Sequence, residues 1–122
     1  MKTCYGELMN RVEGTLITVN LGIDYGNNTR VWLNNTDVLI GMTLFDVTKQ
    51  LTDLNYTVSQ YGVFVNSING VENAYPYYWM WWIWDGAEWI LGEVGADSYT
   101  LKDGDTILWY YQDVSTWPPS KP

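Results

Sequence analysis

Tyr77-Tyr78-Trp79-Met80-Trp81-Trp82-Ile83-Trp84, followed by a turn at Asp85-Gly86 and then by Trp89, is the stretch that decides the fold. It carries Trp79, Trp81, Trp82, Trp84 and Trp89 of the chain's 8 tryptophans. Side chains alternate across a strand, so Tyr77, Trp79, Trp81 and Ile83 point one way and Tyr78, Met80, Trp82 and Trp84 the other. Both sets are apolar. An aromatic side chain brings about 150–250 Å² to be buried, so such a strand is either sandwiched between two layers or keeps one face for a ligand or partner.

Around this strand the 122 residues read as one β-dominated domain, rich in aromatics and glycine (10 Tyr, 8 Trp, 11 Gly). From Leu16 the pattern alternates, with Ile17, Val19, Leu21, Ile23 and Tyr25 on one face and Thr18, Asn20, Gly22 and Asp24 on the other. Gly26-Asn27-Asn28 reverses the chain into a second strand, Thr29 to Leu33, and Asn34-Asn35-Thr36 turns it again. Thr43 reads as a helix N-cap with Asp46 completing a capping box, and Leu44, Val47, Leu51 and Leu54 form one helical stripe that stops at Asn55. Strand segments follow at Tyr56 to Ser59 and Val63 to Ile68, with turns at Asn69-Gly70, Asp85-Gly86 and Asp103-Gly104-Asp105 and a last strand from Thr106 to Tyr111. Residues 1–13 have no clear period and read as an arm or linker, 14–114 as the domain, and 115–122 as a Pro-rich extended tail.

Hairpin, helix and then further strands is the order of an α+β, β-grasp fold: a mixed β-sheet packed on a single helix. One helix covers one face. The second aromatic set is then expected on an uncovered or partner-covered face, and patches of several hundred Å² usually mark a binding site.

A net charge of −8 with only 6 basic residues excludes nucleic acid as a partner, and no apolar run is long enough for a membrane span. Without histidine there is no usual general base, and Cys4 sits in the unpatterned N-terminus, so no enzyme is expected. Asp97, Asp103 and Asp105 are oxygen donors of the kind calcium uses, but Asp-Gly turns account for them without an ion. Sequons begin at Asn27, Asn34 and Asn55, in expected loops or element ends, and favour an extracellular or cell-surface setting.

Val63 to Asn73, Tyr78-Trp79, Gly92 with Gly95 to Tyr99, and Leu101 to Ile107 with Trp109 resemble the transcobalamin-like C-terminal domain family, as does the helix start Gly41 to Val47. The resemblance covers roughly Gly14 to Gln112. It implies a β-grasp domain which, in the cobalamin carriers of the family, closes over cobalamin held against a separate helical barrel. It also implies that cobalamin is a possible ligand, with no cofactor otherwise. The family includes bacterial and archaeal surface proteins too, and the run Trp81, Trp82, Trp84 is heavier than its usual pattern.

The expected function is therefore a non-enzymatic, extracellular ligand-binding module. Its working surface would be Tyr78, Met80, Trp82 and Trp84 with Trp89, holding a small planar molecule or a sugar by stacking. The alternatives are a structural subunit of a cell-surface assembly or filament, whose partners are other copies of itself, and a carbohydrate-binding or adhesion module.

Overall fold

The computed structural model describes residues 16–122; the N-terminal arm and Cys4 lie outside the described residues. The strands are β1 (Leu16–Asp24), β2 (Arg30–Leu39), β3 (Leu54–Ser59), β4 (Gly62–Ile68), β5 (Val71–Glu72), β6 (Tyr77–Trp84), β7 (Trp89–Leu91) and β8 (Thr106–Asp113). Helix α1 (Leu44–Leu51) and a 3₁₀ turn (Ala96–Ser98) complete the elements. A mixed five-stranded sheet has the order β2-β1-β8-β6-β7, and β3-β4-β5 form a second, antiparallel sheet. β1 and β8 pair in parallel; every other pair in the large sheet is antiparallel. The fold is α+β.

The helix starts as its sequence demands. Thr43 Oγ1 accepts from the Asp46 N–H at 3.1 Å, and the Asp46 carboxylate accepts from the Thr43 N–H at 3.0 Å. It ends at Leu51, capped by Thr52, so Leu54 belongs to β3 rather than to the helical stripe. Leu44 and Val47 reach the core between the sheets, where they meet Val19, Leu21, Ile23, Ile107, Trp79, Trp81 and Trp109 from the large sheet and Val65 and Ile68 from the small one. The alternation expected for β1 is thus realised.

Two further expectations need correction. β2 does not stop at Leu33. It runs on to Leu39 through a bulge, where the β1–β2 register slips between Val19 and Leu21. The extra length is absorbed by Asn35, which sits at φ 54° and donates its N–H to Asn20 Oδ1 at 2.9 Å. The turn residues at 34–36 therefore re-aim a strand instead of ending it.

The second correction concerns the outer face of the large sheet, which is covered by the chain itself. Trp82 is 2% exposed and Leu108 fully buried, although both lie on the face away from the helix. Cover comes from two sides. The Trp32 indole lies over Gly22, where an added Cβ would sit 2.7 Å from the ring, and stacks on Trp89 with centroids 6.3 Å apart. The tail supplies the rest: Gln112 Oε1 accepts from the Trp82 indole N–H at 2.7 Å while Gln112 Nε2 donates to the Ser120 carbonyl at 2.8 Å. Pro119 is buried beside it, and Lys121 pairs with Glu88. The tail is anchored near its end, where the Gln112 amide of β8 ties the Ser120 backbone to the sheet, while Ser115 to Pro118 stay exposed.

Gly22→Ala is expected to lower the unfolding free energy by about 1–3 kcal/mol in urea titrations, since Trp32 and Leu108 must both move. Gln112→Leu should cost a similar amount, about 1–3 kcal/mol, by leaving the buried Trp82 N–H without an acceptor, and its tryptophan emission should shift as the tail loosens. Tyr99, whose hydroxyl donates to Asp105 at 2.8 Å, is raised well above the ordinary phenol range by burial first and then by that hydrogen bond and the carboxylate charge. Its contribution is present below the unfolded-state value near pH 10. Above that pH the unfolded chain loses the proton and the folded one keeps it, so stability falls as pH rises. Alkaline urea titrations of Tyr99→Phe should lack this part of the decline.

Candidate functional site

The two sheets meet along a seam between β4 and β6 that no ladder closes. β5 pairs only with Ser67 and Ile68 of β4, and β7 only with Trp82, Ile83 and Trp84 of β6, so the edge of β4 from Val63 to Asn66 that faces away from β3, and the edge of β6 from Tyr78 to Trp81 that faces away from β8, have no neighbouring strand. Unpaired edges must find other partners. Asn73 provides them: its Nδ2 donates to the Val65 carbonyl at 2.8 Å, its Oδ1 accepts from the Trp79 N–H at 2.9 Å, and its own N–H donates to the Asn66 carbonyl at 2.9 Å. A side-chain amide stands in for a peptide group on both edges at once. Farther along, Asp97 Oδ1 accepts from the Val63 N–H at 3.3 Å, and the Gly92 N–H donates to the Trp81 carbonyl at 2.8 Å.

Closure by side chains leaves room between the edges. An apolar hollow of about 150 Å³ is lined by residues including Val63, Phe64, Trp79, Met80, Trp81 and Val94. Next to it, a more polar hollow of about 280 Å³ is bounded by Asn55, Phe64, Asn66, Ser67, Glu72, Asn73 and Tyr78. Phe64 borders both and is 55% exposed. The Asn66 amide is held in place, donating to Asn55 Oδ1 at 3.2 Å and Thr57 Oγ1 at 2.8 Å. Aromatic rings beside oriented amides can stack on a ring and hydrogen-bond its periphery, the usual composition of a small-molecule site.

Of the residues expected to form the working surface, Tyr78 and Met80 line this groove. Trp82 does not present a face to solvent; it is 2% exposed, with its indole N–H donated to Gln112 Oε1 of β8. Trp84, 42% exposed, packs edge-on against Trp89 at 5.4 Å, and both belong to the cluster built on Trp32. Phe64, Asn66 and Asn73 were not anticipated as site residues, and Asn55 only as a sequon. Alternation along Val63 to Asn66 carries the signal for two of them, since turning Val63 and Val65 inward leaves Phe64 and Asn66 outside.

The acidic residues considered for calcium are engaged elsewhere. Asp103 Oδ1 accepts from the Thr18 N–H at 2.9 Å and Asp105 Oδ2 from the Lys102 N–H at 2.9 Å, while Asp97 serves the seam. No group of three or more metal-ligating side chains occurs among the described residues. Asp85 accepts from the backbone of Glu88 and Ala87, which lowers its carboxyl below the usual range and stabilises the turn at Gly86. The sequon asparagines are all exposed, but only Asn27 lies in a loop; Asn34 is within β2 and Asn55 within β3. No helix among the described residues is long and apolar enough to cross a membrane.

Among solved structures the fold is similar to haptocorrin, crystallised in complex with Cbi, at 20% identity and TM-score 0.62 over 79% of this chain. The chain spans 25% of that protein's length. It is also similar to a protein from Ruminococcus gnavus ATCC 29149 described as a candidate metal binding protein, at 17% identity and TM-score 0.58, over 80% of this chain and 97% of that one. At these identities the likeness carries the fold. No curated protein matches the sequence. A family model does: it matches residues 41–113, from the turn before the helix to the end of β8, and the chain belongs to the family of the domain of unknown function DUF4430.

Proposed function

We propose that this domain is a non-enzymatic binding module that holds a flat or cyclic small molecule in the seam groove. The ring rests against Phe64 and Tyr78, its apolar edge reaches Met80, and its polar periphery meets the amides of Asn55, Asn66 and Asn73. The observation that carries this is Phe64: a large apolar ring left 55% exposed at the junction of two hollows, next to an amide whose orientation is fixed by two hydrogen bonds. A ring in that position has exposed area to lose on binding, and an oriented amide has little further ordering to undergo.

Haptocorrin's complex with Cbi supports ligand binding by a relative of this fold, and cobalamin is therefore the first probe. The connectivity fits a β-grasp domain, with the β1–β2 hairpin, α1 and then β8 returning parallel to β1. We place the protein outside the cell or on its surface, on the strength of the same resemblance and the exposed sequons. Catalysis is not part of the proposal, since the chain has no histidine and its central acids are committed to turns.

Titrating cobalamin into the full chain, with light scattering to follow its size, should quench the emission of Trp79 and Trp81 saturably after correction for absorption by the ligand. Phe64→Ala should weaken binding about tenfold, the scale of one lost aromatic contact, with the urea midpoint unchanged, and Trp84→Ala should leave binding as it is. Saturable binding that ignores Phe64→Ala and fails in Trp84→Ala would move the site to the outer aromatic cluster. No saturable change with cobalamin would exclude that ligand class.

A further inference from the structure

We infer that Asn34 is a site of N-glycosylation, with the first sugar of the glycan seated against Trp32. The inference rests on the extracellular placement proposed above. All three sequons have threonine at the third position, at Thr29, Thr36 and Thr57, so the tripeptides alone do not rank them. Their surroundings do.

Asn27 Oδ1 accepts from the Thr29 N–H at 3.2 Å, which folds its amide back into the β1–β2 turn. Asn55 Oδ1 accepts from Asn66 Nδ2 at 3.2 Å, and its side chain borders the seam groove, which a glycan there would fill. Asn34 makes no side-chain hydrogen bond among the described residues and is exposed on β2, an edge strand of the large sheet. It also sits on a bulge. Asn35 takes the left-handed conformation at φ 54°, and Thr36 Oγ1 donates to the Leu33 carbonyl at 3.0 Å, so the local turn is closed without using the Asn34 amide.

The bulge also shapes a receiving surface. A hollow of about 370 Å³ is lined by Asn20, Trp32, Asn34, Asn35 and Thr106. Trp32 is two residues before the acceptor, and its indole is pinned over Gly22 and against Trp89, so it offers a fixed apolar wall. The apolar C–H face of a pyranose packs on such a ring, while the amides of Asn20 and Asn35 flank its hydroxyls. The transfer is a substitution at the sugar's anomeric carbon. Asn34 Nδ2 bonds to C1 of a lipid-diphosphate-linked oligosaccharide, the C1–O bond to the phosphate breaks, the lipid diphosphate leaves with the electron pair, and the amide gives up one proton to the transferase's base.

The test is to direct the full chain through a eukaryotic secretory pathway and map glycopeptides by mass. Asn34 should be occupied in most molecules and Asn27 and Asn55 several-fold less, and Asn34→Gln should remove most of the glycan mass. The N-acetyl methyl protons of the first sugar should show an upfield ring-current shift that Trp32→Phe reduces. A secreted chain bare at Asn34, or one occupied equally at all three positions, overturns the assignment; an unshifted methyl signal overturns the seating on Trp32. Fractionation of the source cells tests the extracellular placement separately, because site competence in the secretory host does not depend on it.

Discussion

A buried indole must place its N–H on an acceptor or forfeit about 1–3 kcal/mol, and this domain buries four of them on two adjacent strands. Each ties down a different covering element. Trp109 donates to Thr48 Oγ1 at 2.9 Å, and Thr48 passes the bond on to the Leu44 carbonyl, fixing the helix. Trp79 donates to the Val71 carbonyl at 2.8 Å, fixing the small sheet. Trp81 donates to the Val94 carbonyl at 2.9 Å, fixing the loop after β7, and Trp82 donates to Gln112, which holds the tail. The aromatic strand thus sets the position of its own cover on both faces, by area and by four directed bonds.

The same bulk explains why the seam stays open. At Gly92 an added Cβ would lie 2.1 Å from the Trp81 indole, so the chain leaving β7 crosses that ring at a distance only glycine permits. β7 ends at Leu91, and the edge of β6 from Tyr78 to Trp81 has no strand to continue it. Bridging by Asn73 and Asp97 satisfies single N–H and C=O groups without filling the space a strand would occupy. The groove is therefore a product of packing on β6, and Phe64 borders it because β4 alternates and its outward ring falls at the gap.

Local signals were legible in the sequence and tertiary ones were not. The capping box at Thr43 and Asp46, the positive-φ residues Asn28 and Asn69, and the Val19–Leu21–Ile23 alternation depend on neighbours a few positions away, and all are realised. The continuation of β2 depends on Asn20 reaching Asn35, and the docking of the tail on Gln112 reaching Ser120; neither has a periodic signature. Alternation assigns Tyr78 and Met80 a common side, and both border the groove. Asn73 was not anticipated, because nothing local distinguishes an amide that joins two sheets from one in an ordinary turn.

Why the outward set of β6 does not act as one surface follows from what lies beside each half. Toward its C-terminal end the strand faces Leu108, and beyond that Gly22, the one position on β1 without a side chain to stand in the way. Trp32 lies down in that space and meets Trp89 across the sheet, and Trp82 is buried on this half. Toward its N-terminal end the strand has the seam at its flank, so Tyr78 and Met80 keep a side open. One apolar stripe is thereby divided into a covered half that stabilises the sheet and an open half available to a ligand. The division is made by a glycine on β1 and an asparagine at the seam, not by any change in the character of the stripe itself.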